Sequence, residues 1–150
     1  MNNDTPSLPE LELPLAKLDR QKVKSLYDEF GHLGDLGVIG SALAQYAESL
    51  CPGGSYKQER HRWVYRPKNF ATFAVHYKRR ARNVTLTFSG HPAQFKESAE
   101  RAGLYEAWRE LKKDLGEYSR YKVENASQLL AAAYFIRLGF EYRRRRRRSK

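Results

Sequence analysis

The chain has 150 residues, 41% of them hydrophobic, 13% aromatic and 30% charged, which suits one domain with a packed core and excludes a disordered polyelectrolyte. Lys and Arg number 28 against 17 Asp and Glu, for a net charge of +11, so the expected partner is a polyanion. A single cysteine, Cys51, excludes an internal disulfide and any cysteine-based zinc cluster.

Residues 1–16 read as a flexible leader, with Pro6, Pro9 and Pro14 in a polar context. It has no signal-peptide core, and no stretch approaches the roughly 20 apolar residues of a membrane span. A cytoplasmic protein is expected. Residues 17–142 read as a single α+β domain. A helical pattern starts at Asp19, where Val23, Leu26, Tyr27 and Phe30 fall on one stripe, and Gly31 and Gly34 close it. A second helix carries Leu36, Ile39, Leu43, Ala47 and Leu50 and stops at Cys51-Pro52-Gly53-Gly54.

The apolar period then changes to two. Three strands are expected near 57–66, 70–79 and 83–89, carrying Trp63 and Tyr65, then Phe73, Val75 and Tyr77, then Val84, Leu86 and Phe88. Short connections favour an antiparallel meander. Helical periodicity returns after Gly90-His91-Pro92, with residues 93–101 as a short helix and Leu104, Ala107, Trp108, Leu111 and Leu115 as a stripe. Tyr118 to Val123 reads as a fourth strand. Asn125 is placed as the N-cap of a last helix that buries Leu129, Leu130, Ala133, Tyr134 and Ile136 and ends at Gly139. The expected architecture is two N-terminal helices and a three- to four-stranded antiparallel sheet covered by helices on one face.

Residues 143–150 form a basic tail. Arg143, Arg144, Arg145, Arg146, Arg147 and Arg148, with Lys150, supply seven positive groups, leaving 21 basic against 17 acidic residues in the rest of the chain. Were the last helix to continue, these arginines would surround it and repel one another, so disorder is expected. Guanidinium groups match phosphate oxygens through a planar fork of donors.

Pleat alternation fixes the second face of the sheet. If the aromatic strand positions face the helices, Arg60, Arg62, His76, Lys78, Thr85, Thr87, Arg120 and Lys122 face outward. The loops at either end add Arg66 and Lys68, and Arg79, Arg80 and Arg82. Basic groups among hydroxyls suit phosphate contacts. The alternative is that an antiparallel sheet merely solvates one face with long charged side chains. An inverted register would instead present Trp63, Tyr65 and Tyr77 for stacking on single-stranded bases.

Catalytic and metal signatures do not stand out. His32, His61, His76 and His91 lack ligand spacing, and His61 and His76 are expected on opposite faces of neighbouring strands. Gly31, Gly34 and Gly37 resemble a phosphate loop only in spacing, since no Lys-Ser/Thr follows. Cys51 and Ser89 have no evident base. Asp114 to Glu117 and Glu97 to Glu100 fall in helical or loop contexts. No cofactor, no metal and no enzymatic activity are expected. An unrecognised nuclease would require acidic side chains converging on the basic groove. A module binding an acidic protein partner is the further alternative, since aromatic residues suit interface hot spots.

Three segments carry a resemblance. They are Tyr65-Arg66-Pro67-Lys68-Asn69-Phe70, Tyr77 through Leu86, and Tyr118 through Tyr142 with its ending Gly139-Phe140-Glu141-Tyr142-Arg143. Residues 60–142 resemble an uncharacterised α+β domain, once labelled a predicted transport protein and often fused to restriction-type and other DNA-defence proteins. Phe140 stands where that family has Tyr. The resemblance implies an accessory, nucleic-acid-associated module without established catalytic residues, and no site residue is transferred from it.

Overall fold

In the computed structural model, residues 25–78 and 80–148 are described, residues 147 and 148 by their backbone alone. The expected leader, the start of the first helical pattern at Asp19, Arg79, Ser149 and Lys150 lie outside the described residues.

Helix α1, Leu26–Gly31, begins at Ser25, whose hydroxyl accepts the Asp28 N–H at 3.1 Å. Helix α2, Asp35–Leu50, buries Gly37, Gly40, Leu43, Ala44 and Ala47. Leu36, Ile39 and Leu50 flank that line and are only partly buried. The narrow stripe lets α1 approach closely: a Cβ on Gly40 would stand 2.4 Å from the Phe30 ring.

Four strands follow as a meander: β1 Ser55–Glu59, β2 Arg62–Arg66, β3 Ala71–His76 and β4 Asn83–Ser89. A 3-10 turn, Pro92–Phe95, leads into α3, Lys96–Arg101, and α4, Tyr105–Trp108. Strands β5, Lys112–Asp114, and β6, Tyr118–Val123, precede a second 3-10 turn, Ala126–Gln128, and the long helix α5, Leu129–Arg148. Among the described residues the six strands are antiparallel in the order β1-β2-β3-β4-β6-β5.

The α+β class and the helix-covered antiparallel sheet agree with the sequence reading, but six strands replace three or four. The segment expected as one strand at 57–66 is a hairpin. It turns at Arg60-His61, with Arg60 at φ 62°, a left-handed conformation that usually falls to Gly or Asn. His61 therefore sits in the turn, not on a strand face opposite His76. Strand β5 replaces the last turn of an expected helix and leaves Leu115 almost fully exposed. Three residues carry too little pattern to show a strand, which exists here through pairing with β6.

The core fills one face of the sheet. Trp63, Tyr65, Phe73, Val75, Val84, Leu86, Phe88, Tyr121 and Val123 are all buried there, as alternation required. Phe135 of α5 stacks on Phe88 at 5.5 Å and meets Tyr121 edge-on at 5.1 Å. Asn125 caps the entry to α5 by accepting the Ser127 N–H at 3.0 Å, while the Gln128 side chain reaches back to its own N–H.

The buried side of α5 differs from the expected one. Ala131, Ala132, Phe135, Ile136 and Leu138 are buried, whereas Leu130 is exposed and Leu129 partly so. Gly139 does not end the helix. Its bare Cα lets α5 press on the sheet, for an added Cβ would lie 2.9 Å from Phe88 Cβ and 3.2 Å from the Phe70 carbonyl oxygen.

Where disorder is expected from Arg143 onward, the helix α5 runs on to Arg148. Aromatic and acidic partners offset the mutual repulsion of the arginines. Arg144 lies 5.6 Å over the Phe140 ring and Arg146 5.9 Å over Tyr142, each one turn back along the helix. Arg146 also pairs with Glu117 across the chain.

Candidate functional site

The helix-free face of the sheet is the candidate site. Register sets rungs across it. Thr72, Thr87, Arg120 and Lys112 form one, and Ala74, Thr85 and Lys122 the next. Arg62 lies beside the second rung and His76 pairs with Asn83 on a third, and these side chains, Thr72 apart, line a groove of about 670 Å³. Arg62, Arg120 and Lys122 are exposed there on strands whose alternate residues anchor the core, so their Cα positions are held rigidly. Trp63 and Tyr65 point the other way. The stacking platform of an inverted register is therefore not on this face.

Three carboxylates were not anticipated: Glu110, Asp114 and Glu124 also line the groove. Asp114 arrives on β5, the strand the sequence concealed, and Lys112 comes with it. Four basic side chains thus share the face with three acidic ones, a more balanced surface than a list of β2, β4 and β6 residues suggests. Among the described residues, no group of three or more His, Cys, Asp or Glu side chains is placed to hold one metal ion.

The remaining expected residues divide between the two ends of the strands. Arg60, Lys78, Arg80 and Arg82 lie at the end formed by the β1–β2 and β3–β4 turns, and all four are exposed. Arg82 donates to the His32 carbonyl at 3.5 Å, a weak anchor. Lys68 lies at the other end, in the β2–β3 turn. There it meets α5 and lines a cavity with Arg143 and Arg146. Arg144 and Arg145 are exposed on α5, and the side chains of Arg147 and Arg148 are outside the described set.

Arg66 does not reach an open ligand position. Its Nε and guanidinium tip bond Glu59 at 2.8 and 2.6 Å. Register places Arg66 opposite Ser55 and Glu59 opposite Arg62, so the pair reaches across Val64, which is only 2% exposed. This salt bridge roofs an apolar residue on the otherwise polar face.

Compared with known proteins, the chain matches no family model, no curated protein and no solved structure.

His76 gives the groove a titratable element. Loss of solvent around the ring is the largest cause holding its pKa below the usual 6.5, although the residue as a whole counts as exposed. Lys122 and Lys78 lower it further, against an upward pull from Glu29. The sign follows: as pH falls through the ordinary histidine range, the unfolded chain takes up the proton first, so His76 costs the fold stability on acidification. Its charge reaches the groove only below that range. Affinity for a polyanion is expected to rise between a pH in the ordinary histidine range and one below it, and His76→Gln to blunt that rise. Anisotropy titrations of both proteins at the two pH values measure the difference.

Proposed function

We propose that the chain is a non-enzymatic nucleic-acid-binding protein that holds the phosphate backbone across the open face of its sheet. The observation that carries this reading is the placement of Arg62, Lys112, Arg120 and Lys122 beside the Thr85 and Thr87 hydroxyls on one rigid face. Basic turns at one end and the arginines of α5 at the other extend the face along the strand direction, over about 20 Å for a six-residue strand. The resemblance of residues 60–142 to an accessory domain of DNA-defence proteins supports the same direction and suggests DNA handling as its setting. Glu110, Asp114 and Glu124 repel phosphates that stray from the basic rungs, which favours one path over diffuse adhesion.

The test is a set of anisotropy titrations with single- and double-stranded DNA and RNA at several salt concentrations. With six to ten phosphate contacts, affinity is expected to fall by about three to five decades between roughly 50 and 200 mM salt. Failure to bind any of these at about 50 mM salt overturns the reading.

A second reading has one specific observation behind it. The same three carboxylates beside Arg120 and Lys122 give a nuclease its raw material. Cleavage of a labelled strand in the presence of Mg²⁺ or Mn²⁺, abolished by Asp114→Asn, would favour that reading.

A further inference from the structure

The open face leads along β6 into a second cavity. Tyr118, Arg120 and Lys122 stand at alternate positions of that strand, with Arg120 and Lys122 in the groove. Tyr118 belongs to a cavity of about 640 Å³ between the Pro67-Lys68 turn and the last turns of α5. Its hydroxyl oxygen accepts from Asn69 Nδ2 at 3.1 Å and from Arg143 at 3.2 Å. With both acceptor positions taken, the phenolic hydrogen is left to donate to a further group.

Lys68 and Arg143 border the same space, and among the described residues neither has a carboxylate within ion-pair distance. Glu117, the acidic group of the cavity, instead accepts from Tyr142 and pairs with Arg146. Lys68, Arg143 and the Tyr118 hydroxyl thus border one cavity whose acidic group, Glu117, is already paired with Arg146.

On the other side of Lys68 and Arg143 lies a smaller cavity of about 190 Å³, walled by Phe70, Phe140 and Cys51 and edged by Arg144, which lies over the Phe140 ring. An anion position and an apolar slot separated by two shared cationic stems match a phosphate joined to a base and sugar. A terminal phosphate monoester carries about −1.5 to −2 charge near neutral pH, more than a backbone diester, and so gains more from two cations.

We propose that this end of the molecule receives the phosphorylated end of a single nucleic-acid strand. The terminal phosphate sits among Lys68, Arg143 and the Tyr118 hydroxyl, and the terminal nucleoside enters the slot beside Phe70 and Phe140. The phosphates that follow lie on Arg120 and Lys122. The inference rests on the reading of the open face as a nucleic-acid surface.

The experiment compares four short single strands by fluorescence anisotropy: 5′-phosphorylated, 3′-phosphorylated and the two unphosphorylated controls, each labelled at the opposite end. One phosphorylated end is expected to bind about tenfold more tightly than its control, as for a charge-assisted contact of about 1.4 kcal/mol. Lys68→Ala combined with Arg143→Ala is expected to bring that ratio to about one, and Tyr118→Phe, which keeps the ring, to lower it partway. Arg120→Ala with Lys122→Ala should weaken both strands and preserve the ratio. Equal binding of phosphorylated and control strands by the unaltered protein overturns the inference while leaving the open-face reading intact. Displacement of the strand by an equal concentration of a nucleoside monophosphate overturns it too, in favour of a free-nucleotide site. No binding of any strand overturns the open-face reading itself.

Discussion

Replacing Gly37 by alanine is expected to destabilise the domain by about 1–3 kcal/mol or more, in spite of alanine's helix preference. Gly37 lies in the first turn of α2, where a Cβ would fall 1.7 Å from the Phe30 carbonyl oxygen. The obstacle is backbone, so no rotamer change relieves it, and α1 would have to move away from α2. Phe30 would then lose its edge-on contact with Phe73 at 6.0 Å, opening the core above the sheet. Gly40→Ala meets the Phe30 ring instead of backbone and should cost somewhat less. Urea unfolding followed by circular dichroism checks both: a lower midpoint with an unchanged slope is the expected result. A midpoint equal to that of the unaltered protein would mean that α1 does not pack here as described.

Reversing charge at two groove positions, Arg120→Glu with Lys122→Glu, is expected to reduce nucleic-acid affinity at low salt by about a hundredfold. Loss of two phosphate contacts also flattens the dependence of log affinity on log salt by roughly 1.4 to 1.8. Removing residues 143–150 is expected to weaken binding about tenfold or more and flatten the same slope, since seven positive groups leave together. The two deletions of charge should differ in character. Arg120 and Lys122 are held on the sheet, whereas Arg144 and Arg145 of α5 are exposed on a helix end and lose more side-chain freedom on binding. Thermal stability should change little in either variant, because surface pairs such as Arg146 with Glu117 contribute little to folding. An unchanged salt slope after the Arg120 and Lys122 reversal would remove the open face from the binding surface.

Much of the architecture was legible because its signals are local. Alternation over 70–79, 83–89 and 118–123 marked β3, β4 and β6 and divided their paired residues correctly between core and open face, although β3 ends at His76 and leaves Tyr77 and Lys78 in the turn. Glycine and proline after Leu50 marked the end of α2, and Asn125 marked the approach to α5. The misreadings share another cause. Arg60 takes a positive φ without being Gly or Asn, so the β1–β2 turn left no trace in composition. The apolar residues of α5 surround it, and only docking on Phe88 selected Ala131, Ala132 and Phe135 over Leu129 and Leu130.

By itself the sequence determined the fold class, the excess of positive charge and the outward side of Arg62, His76, Arg120 and Lys122, since all three follow from composition or from a period of two. Tertiary structure alone decided which charges share a surface. It brought β5 beside β6, adding Lys112 and Asp114 to the groove, and tied Arg66 to Glu59. It also seated α5 on Phe88 at Gly139, where a Cβ would collide, and carried the helix on to set Arg143 next to Tyr118 and beside the cavity of Lys68. Such placements depend on strand order and helix docking between residues far apart in the chain, and no local period or propensity encodes them.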